Sequence, residues 1–134
     1  MTKSKTKVVQ PEKMLTETEL ELMTILWSLG EGSVADVIER LPVGRELAYT
    51  SVSTILRILE QKDVLTTRKE GRGHVYIPQV SKSEYEARTL KHIVNRVFDG
   101  TPVALVRQLL DSVPLDAAEI EELRKLIDMN RNKS

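Results

Sequence analysis

Between residues 49 and 57 the sequence carries short hydroxyl groups and one guanidinium at helical spacing. Most of these side chains follow an i, i+3, i+4, i+7 pattern, which places them on one face of a helix. Hydroxyls reach phosphate oxygens or base edges, and a guanidinium forms paired hydrogen bonds with guanine or phosphate. The segment therefore predicts a DNA contact, with a merely solvated helix face as the alternative. The candidate residues are Tyr49, Thr50, Ser51, Ser53, Thr54 and Arg57.

A second set of candidates surrounds a glycine-containing turn and consists of Arg68, Lys69, Arg72 and His74. Gly71 and Gly73 allow the positive φ angles of a tight turn, and a slender backbone can approach a phosphate or the minor groove closely. The negative charge of Glu70 opposes such a contact. The pattern predicts a DNA-contacting hairpin, and an ordinary exposed hairpin of mixed charge remains the alternative. Arg45 is a further candidate for a phosphate contact.

Composition excludes several other kinds of site. The 134 residues include no cysteine, which rules out disulfide frameworks, thiol nucleophiles and thiolate metal sites. The two histidines, His74 and His92, lie far apart, and neither an HExxH nor a Walker-type motif is present. We therefore expect a protein that is not an enzyme, with no cofactor and no metal. No apolar run is long enough to span a bilayer or to form a signal peptide, so we expect a soluble, cytoplasmic protein without membrane insertion.

The net charge is zero, but the charges are segregated along the chain. Residues 1–11 sum to +3, residues 12–39 to −6 and residues 40–80 to +3, while the remainder is neutral. A locally basic segment inside a neutral protein fits a directed contact with a polyanion. The same segregation is also compatible with ordinary solvated surfaces.

Three helices are predicted before the hairpin. Residues 1–13 lack periodicity and predict a flexible basic arm. Thr16 and Glu19 form a capping box, and Ser33 with Asp36 begins a second, shorter helix in the same way. Thr50 or Ser51 then begins the third helix. The predicted apolar positions of the first and third helices are Leu20, Met23, Leu26, Trp27, Val52, Ile55, Leu56 and Leu59.

Two short strands follow, over residues 64–68 and 74–77, and Pro78 ends the hairpin. The order of helix, helix, helix and hairpin defines a winged helix-turn-helix, in which the third helix enters the major groove and the hairpin lies along the flanking backbone. The fold class is therefore mainly α with a small β-hairpin. We assign residues 14–80 to a winged-helix DNA-binding domain.

Residues 81–134 predict a helical dimerisation region. Capping patterns at Ser81, Thr101 and Asp116 each begin an amphipathic helix. Three such helices cannot bury their apolar faces against one small winged helix, so a second copy of the chain is expected to cover them, giving a homodimer. The predicted interface residues are Leu90, Ile93, Val94, Val97, Phe98, Val106, Leu109, Leu110, Ile120, Leu123 and Ile127.

Several segments together resemble the penicillinase-repressor (BlaI/MecI/CopY) family. The similar segments are residues 15–23 with Leu26 and Trp27, residues 48–56, residues 71–76 and residues 119–126. The resemblance covers residues 14–130 and keeps the order and spacing of the family. It implies a homodimeric transcriptional repressor that binds an inverted repeat of TACA and TGTA half-sites in double-stranded DNA, with a recognition helix over residues 50–61.

Some positions depart from the family pattern. Ile58 stands where many members have arginine, which removes a phosphate contact, and Asp63 stands where a glycine usually precedes the first strand, which strains or reshapes the helix end. Antibiotic-sensing members respond to a membrane sensor-protease pathway that cleaves an Asn-Phe bond, and this chain has Gln108-Leu109 at the corresponding place. Copper sensing through a C-terminal cysteine cluster is excluded. The derepressing signal stays open.

A different class of function also remains open at this point. The third helix and hairpin of a winged helix can dock on a protein, and the zero net charge suits such an interaction module. A steep salt dependence of duplex binding would distinguish the repressor from this alternative.

Overall fold

A computed structural model describes residues 14–133. The predicted basic arm, residues 1–13, lies outside the described residues. The chain forms six helices and one antiparallel hairpin within the described range, and it divides into two compact units, the first ending at His92 and the second beginning at Ile93. The elements are α1 (Glu17–Leu29), α2 (Val34–Glu39), α3 (Tyr49–Gln61), β1 (Leu65–Glu70), β2 (Gly73–Pro78), α4 (Lys82–Arg96), α5 (Pro102–Ser112) and α6 (Ala117–Arg131).

The predicted helix starts are largely confirmed. Reciprocal capping-box hydrogen bonds join Thr16 with Glu19 and Ser33 with Asp36, and the same arrangement begins α4 and α6. Each box satisfies amide groups that a helix terminus would otherwise leave without partners. At α5, Thr101 is the N-cap residue with a proline in the first turn, but its side chain makes no capping bond.

The first helix buries Met23 and Leu26 as predicted and packs Trp27 against the core, but the remaining buried positions differ from the prediction. Its buried residues are Glu19, Leu22, Met23 and Leu26, which follow the i, i+3, i+4, i+7 rule. Leu20 was predicted to be a core position and is instead 37% exposed. The prediction was wrong because a glutamate occupies the first place of the buried row, and an apolar pattern does not anticipate a paired carboxylate there.

The third helix begins one or two residues earlier than expected. The sequence predicted that Thr50 or Ser51 begins the helix, whereas Tyr49 is its first residue and Ala48 is the N-cap residue, which makes no side-chain bond. Val52, Leu56 and Leu59 are fully buried, as predicted, and Ile55 is half-buried. At the other end, Asp63 adopts φ 64°, a left-handed conformation that favours glycine. The departure at this position thus places a strained non-glycine residue just after the helix.

The hairpin is anchored to the turn between α1 and α2. The two strands pair in register from Leu65 with Pro78 to Glu70 with Gly73, so they are longer than predicted. Gly32 forms an additional antiparallel bridge to Tyr76, with amide-to-carbonyl distances of 3.0 and 2.8 Å. Together the helices and the hairpin form a winged helix, with an aliphatic core shared by α1, α2, α3 and the start of β1.

The beginning of α4 belongs to the first unit and packs against α1. The Trp27 ring lies 5.9 Å from that of Tyr85, and the Trp27 indole N–H donates to the carbonyl of Val80 at 2.8 Å. The hydroxyl of Tyr85 accepts a hydrogen bond from the amide of Leu15 at 3.1 Å. These contacts connect the start of α4 with the start and end of α1.

The second unit consists of the end of α4 with α5 and α6. None of these helices contains a buried residue among those described. No helix within residues 14–133 is long and apolar enough to cross a membrane.

An ion pair joins the start of α1 to the end of α3. The Lys62 ammonium donates to both oxygens of the Glu19 carboxylate at 3.0 and 2.9 Å, and the Glu19 side chain is only 8% exposed. Burial alone would raise the pKa of Glu19, but the hydrogen bonds from Lys62 and Thr16 outweigh this effect, so the pKa is lowered. The pair therefore stabilises the fold in the pH range where the carboxylate is charged.

We predict that Glu19→Gln lowers the free energy of unfolding at pH 7 by about 1–2 kcal/mol, because it removes the charge that holds the buried hydrogen bonds of Lys62. The folded-state pKa is lowered, so this contribution is present above pH 4.5 and is lost as the pH falls through the folded-state value. Thermal melting at pH 7 and at pH 3 measures the difference between variant and parent, which should shrink in acid. The matched control is Glu17→Gln, at an exposed position of the same helix; an equal loss in both variants would contradict the prediction.

Candidate nucleic-acid interface

α3 and the hairpin form opposite walls of an open cleft of about 400 Å³, and the start of α2 also lines it. α3 supplies Tyr49, Ser53 and Arg57, which lie at successive intervals of four residues and so share one face. The hairpin supplies Arg72 and His74 from the opposite wall. The structure thus brings together five of the predicted DNA-binding residues, three of which carry a cationic or ionisable nitrogen group.

The other predicted residues of α3 lie on the adjoining surface. Thr50, Ser51 and Thr54 are all exposed, and none of them lines the cleft. Because the third helix begins at Tyr49, the hydroxyls of Thr50 and Ser51 lie within its first turn and do not cap it. Their oxygen atoms and hydroxyl protons therefore stay accessible beside the uncapped amide groups of that turn.

Two predicted cationic candidates hold carboxylates of this chain. The guanidinium of Arg68 binds Glu31 at 2.8 Å and Glu70 at 3.2 Å. The guanidinium of Arg45 binds Glu21 at 3.1 Å, and these bonds raise the pKa of Arg45. Lys69 and Arg72 are exposed on the hairpin. Cationic groups of the interface therefore differ in how much of their charge is available to a ligand.

Sequence reasoning missed several residues of the cleft. Glu60 lines it and accepts a hydrogen bond from the Thr67 hydroxyl at 2.9 Å, and the Tyr76 ring forms part of the wall. Burial raises the pKa of Tyr76, the nearby Glu60 charge raises it further, and Arg57 acts in the opposite direction. The helical spacing of Glu60 from Tyr49, Ser53 and Arg57 is the signal that could have placed it on the same face. Ser33, Val34 and Ala35 of the α2 start had no such signal, because only tertiary packing brings α2 to this cleft.

The arrangement suits binding of an extended polyanion. The cleft is open, its walls carry hydroxyl and cationic groups, and a hydroxyl or guanidinium can hydrogen-bond to phosphate oxygens without bond-making chemistry. Within residues 14–133 there is no group of three or more histidine, aspartate or glutamate side chains that could hold a metal ion.

The predicted dimerisation residues are accessible in this single chain. None of the eleven is buried, and seven are exposed, whereas Ile93, Val94, Phe98 and Leu123 are half-buried. The exposed residues are Leu90, Val97, Val106, Leu109, Leu110, Ile120 and Ile127. Each helix of the second unit thus presents apolar side chains to its surroundings.

Comparison with known proteins identifies the family. The family model described as "Penicillinase repressor" matches residues 15–129. The penicillinase repressor of Bacillus licheniformis is 29% identical over 119 residues, which are 89% of this chain and 93% of that protein. The methicillin resistance regulatory protein MecI of Mammaliicoccus sciuri is 26% identical over 114 residues, covering 85% of this chain and 93% of the relative. The solution structure of the DNA-binding domain of the repressor BlaI is 31% identical with a TM-score of 0.48, covering 53% of this chain and 87% of that domain. With a family model matched over nearly its whole described length, the chain belongs to the penicillinase repressor family.

Proposed function

We propose that this protein represses transcription by binding an inverted-repeat operator in double-stranded DNA. The observation that carries the proposal is the cleft between α3 and the hairpin, where Arg57 faces Arg72 and His74. In a winged helix this geometry lets α3 enter a major groove while the hairpin follows the adjoining phosphates. Membership of a family of repressors supports the same function. Since its proposed target is double-stranded DNA, we place the protein in the cytoplasm.

The proposed division of labour follows from side-chain chemistry. Arg57 and the exposed hydroxyls of Thr50, Ser51 and Thr54 lie on the helix that enters the groove, so they read base edges or fix the helix against phosphates. Arg72 and Lys69, near the turn of the hairpin, contact the sugar-phosphate backbone. Glu60 restricts which DNA groups can enter the cleft. Its carboxylate repels phosphate but can accept a hydrogen bond from the amino group of cytosine.

We further propose that the DNA-binding species is a homodimer joined through the second unit. Its helices leave apolar residues exposed along their whole length, including Val103 at 61%, Leu110 at 52% and Ile127 at 62%. Exposed apolar side chains that recur on each of these helices are typical of an interface, and a second copy of the chain presents the same residues in return. Two linked recognition helices bind two half-sites together, so any signal that separates the subunits weakens operator binding.

The proposed function predicts selective and salt-sensitive binding to a duplex that carries the inverted TACA and TGTA repeat. Fluorescence anisotropy at two salt concentrations, with a scrambled duplex of equal length as control, measures both properties. We expect a clear preference for the repeat, two chains per duplex and an affinity that falls steeply with salt, because bound phosphates release counterions. Equal and weak binding to both duplexes would contradict the proposal and favour a protein-interaction module.

The two walls of the cleft should respond differently to truncation. Arg57→Ala is expected to cost about 1–3 kcal/mol of operator binding and to relax the preference at one base position, because a base-reading group is lost. Arg72→Ala is expected to weaken binding to all sequences and to flatten the salt dependence, because a phosphate contact is lost. Operator variants and salt titrations measure the two effects. Arg40→Ala, an exposed arginine outside the cleft, is the control; operator affinity that is unchanged in both cleft variants would rule out these faces.

The dimer interface predicts that Leu110→Glu shifts the protein toward monomers, because it buries a charge among apolar side chains when two copies meet. In the isolated chain Leu110 is half exposed, so its fold should tolerate the change. Sedimentation equilibrium measures the oligomeric state, and circular dichroism checks folding. Gln108→Glu adds the same charge at an exposed polar position of α5 and serves as control. A folded Leu110→Glu variant that dimerises as strongly as the parent would exclude this surface.

A further inference from the structure

Arg68 connects the hairpin to the turn between α1 and α2. Both terminal nitrogens of its guanidinium donate to the Glu31 carboxylate, at 2.8 and 3.3 Å, in a paired arrangement. One of them also donates to Glu70 at 3.2 Å, on the same strand. Hydrogen bonding with Arg68 lowers the pKa of Glu31, since the bond favours the charged carboxylate.

The same two segments are also joined through their backbones. Gly32, the residue after Glu31, exchanges both backbone hydrogen bonds with Tyr76 of β2. Gly32 is buried, and an added Cβ there would approach Asp36 Cβ to 3.2 Å and Leu29 Cδ1 to 3.3 Å. Gly32 therefore packs tightly against the side chains of α1 and α2 while both of its backbone groups bond to β2.

The Arg68 side chain has to cross β2 to reach Glu31, because β2 lies between β1 and Gly32. Arg68 is the cross-strand partner of Val75, so the two side chains point to the same face of the hairpin. Val75 is 8% exposed and yet does not belong to the main core cluster. The side chain of Arg68, on the same face and directed toward Glu31, is placed to cover Val75 with its aliphatic stem.

The pairing also changes the charge of the hairpin. With two carboxylates on one guanidinium, Arg68 contributes no net positive charge to a ligand, while Lys69 and Arg72 remain exposed near the turn. An arginine used to bind phosphate would have to give up its paired bonds with Glu31. Within residues 14–133, Lys69 and Arg72 have no ion pair of this kind to break before they bind a phosphate.

We propose that Arg68 is a positioning residue, which holds the hairpin against the α1–α2 turn through Glu31 so that Arg72 and His74 face Arg57 across the cleft. This inference rests on the proposed function, since positioning matters for DNA binding. It assigns Glu31 a favourable role in binding a polyanion, although its charge repels phosphate. Glu70, by contrast, lies on the hairpin itself, so its bond to Arg68 does not join the hairpin to the helices.

The test compares two single charge removals on the full chain. Glu31→Gln should weaken binding to the inverted-repeat duplex about two- to fivefold, the range expected for losing one exposed paired contact. Glu70→Gln removes the same charge, leaves the Glu31 bond in place and should tighten binding slightly, because a repulsive carboxylate is gone. Tighter binding by Glu31→Gln would overturn the proposal, since it would mean that releasing Arg68 supplies a phosphate contact.

A double-mutant cycle separates positioning from direct contact. Arg68→Gln should weaken binding to the same extent as Glu31→Gln, and the double variant should be no weaker than either single variant, because all three lose the Arg68–Glu31 interaction and the Arg68–Glu70 bond does not join the hairpin to the helices. The salt dependence should keep its slope, whereas a lost phosphate contact would reduce that slope by about 0.9. Additive losses or a reduced slope in Arg68→Gln would overturn the proposal.

Amide hydrogen exchange in the absence of DNA tests the positioning role independently of the proposed function. The Gly32 and Tyr76 amides donate across the bridge, and their exchange should accelerate severalfold in Glu31→Gln and stay unchanged in Glu70→Gln. Unchanged exchange in Glu31→Gln would overturn the proposal whatever the DNA result. Faster exchange together with no duplex binding by any variant would show that the proposed function fails while the anchoring of the hairpin stands.

Discussion

Burial of one aliphatic row fixes the rotation of α3, and the rest of the proposed DNA interface depends on that rotation. Val52, Leu56 and Leu59 of α3 have no exposed surface and pack against α1, α2 and the hairpin. A helix held along this row cannot turn without exposing all three side chains, at a cost of about 1.5–3 kcal/mol each. The opposite face therefore always presents Arg57 and its neighbours outward. The burial of the apolar face of α3 thus determines which polar face of the helix is exposed for the proposed DNA contact.

Electrostatic pairing within the first unit explains the segregation of charge along the sequence. The acidic segment over residues 12–39 and the basic segment over residues 40–80 are joined by pairs of Glu19 with Lys62, Glu21 with Arg45, and Glu31 with Arg68. Part of the positive charge that suggested a polyanion partner is consequently paired with carboxylates of the same chain. The proposed DNA interface relies on a few cationic groups placed around a cleft, which suits a protein whose net charge is zero.

The two units solve the burial of apolar surface in different ways. The first unit encloses an aliphatic core between its helices and the hairpin. The contact of Trp27 with Tyr85 connects α1 with the start of α4. The second unit has too few residues to enclose a core of its own, and its helices leave their apolar faces exposed. The proposed dimer would bury these faces and would couple the stability of the second unit to DNA binding. The proposed interface for DNA and the proposed interface for a second copy then belong to separate units of one chain.

The amino-acid sequence by itself determined the local structure, whereas only the tertiary structure decided which charged groups remain available. Capping boxes and apolar spacing act within a few residues of the chain, so the order of helices and hairpin and the burial of Val52, Leu56 and Leu59 followed from pattern. The buried Glu19 and the bonds of Arg68 did not, because their partners lie 43 and 37 residues away in sequence. The assembly of the cleft from three separate elements was likewise decided by packing. Ion pairing between distant segments is a property of the folded chain. The periodicity of apolar residues predicts which face of a helix is buried, but it does not predict which charged side chains from distant segments come into contact.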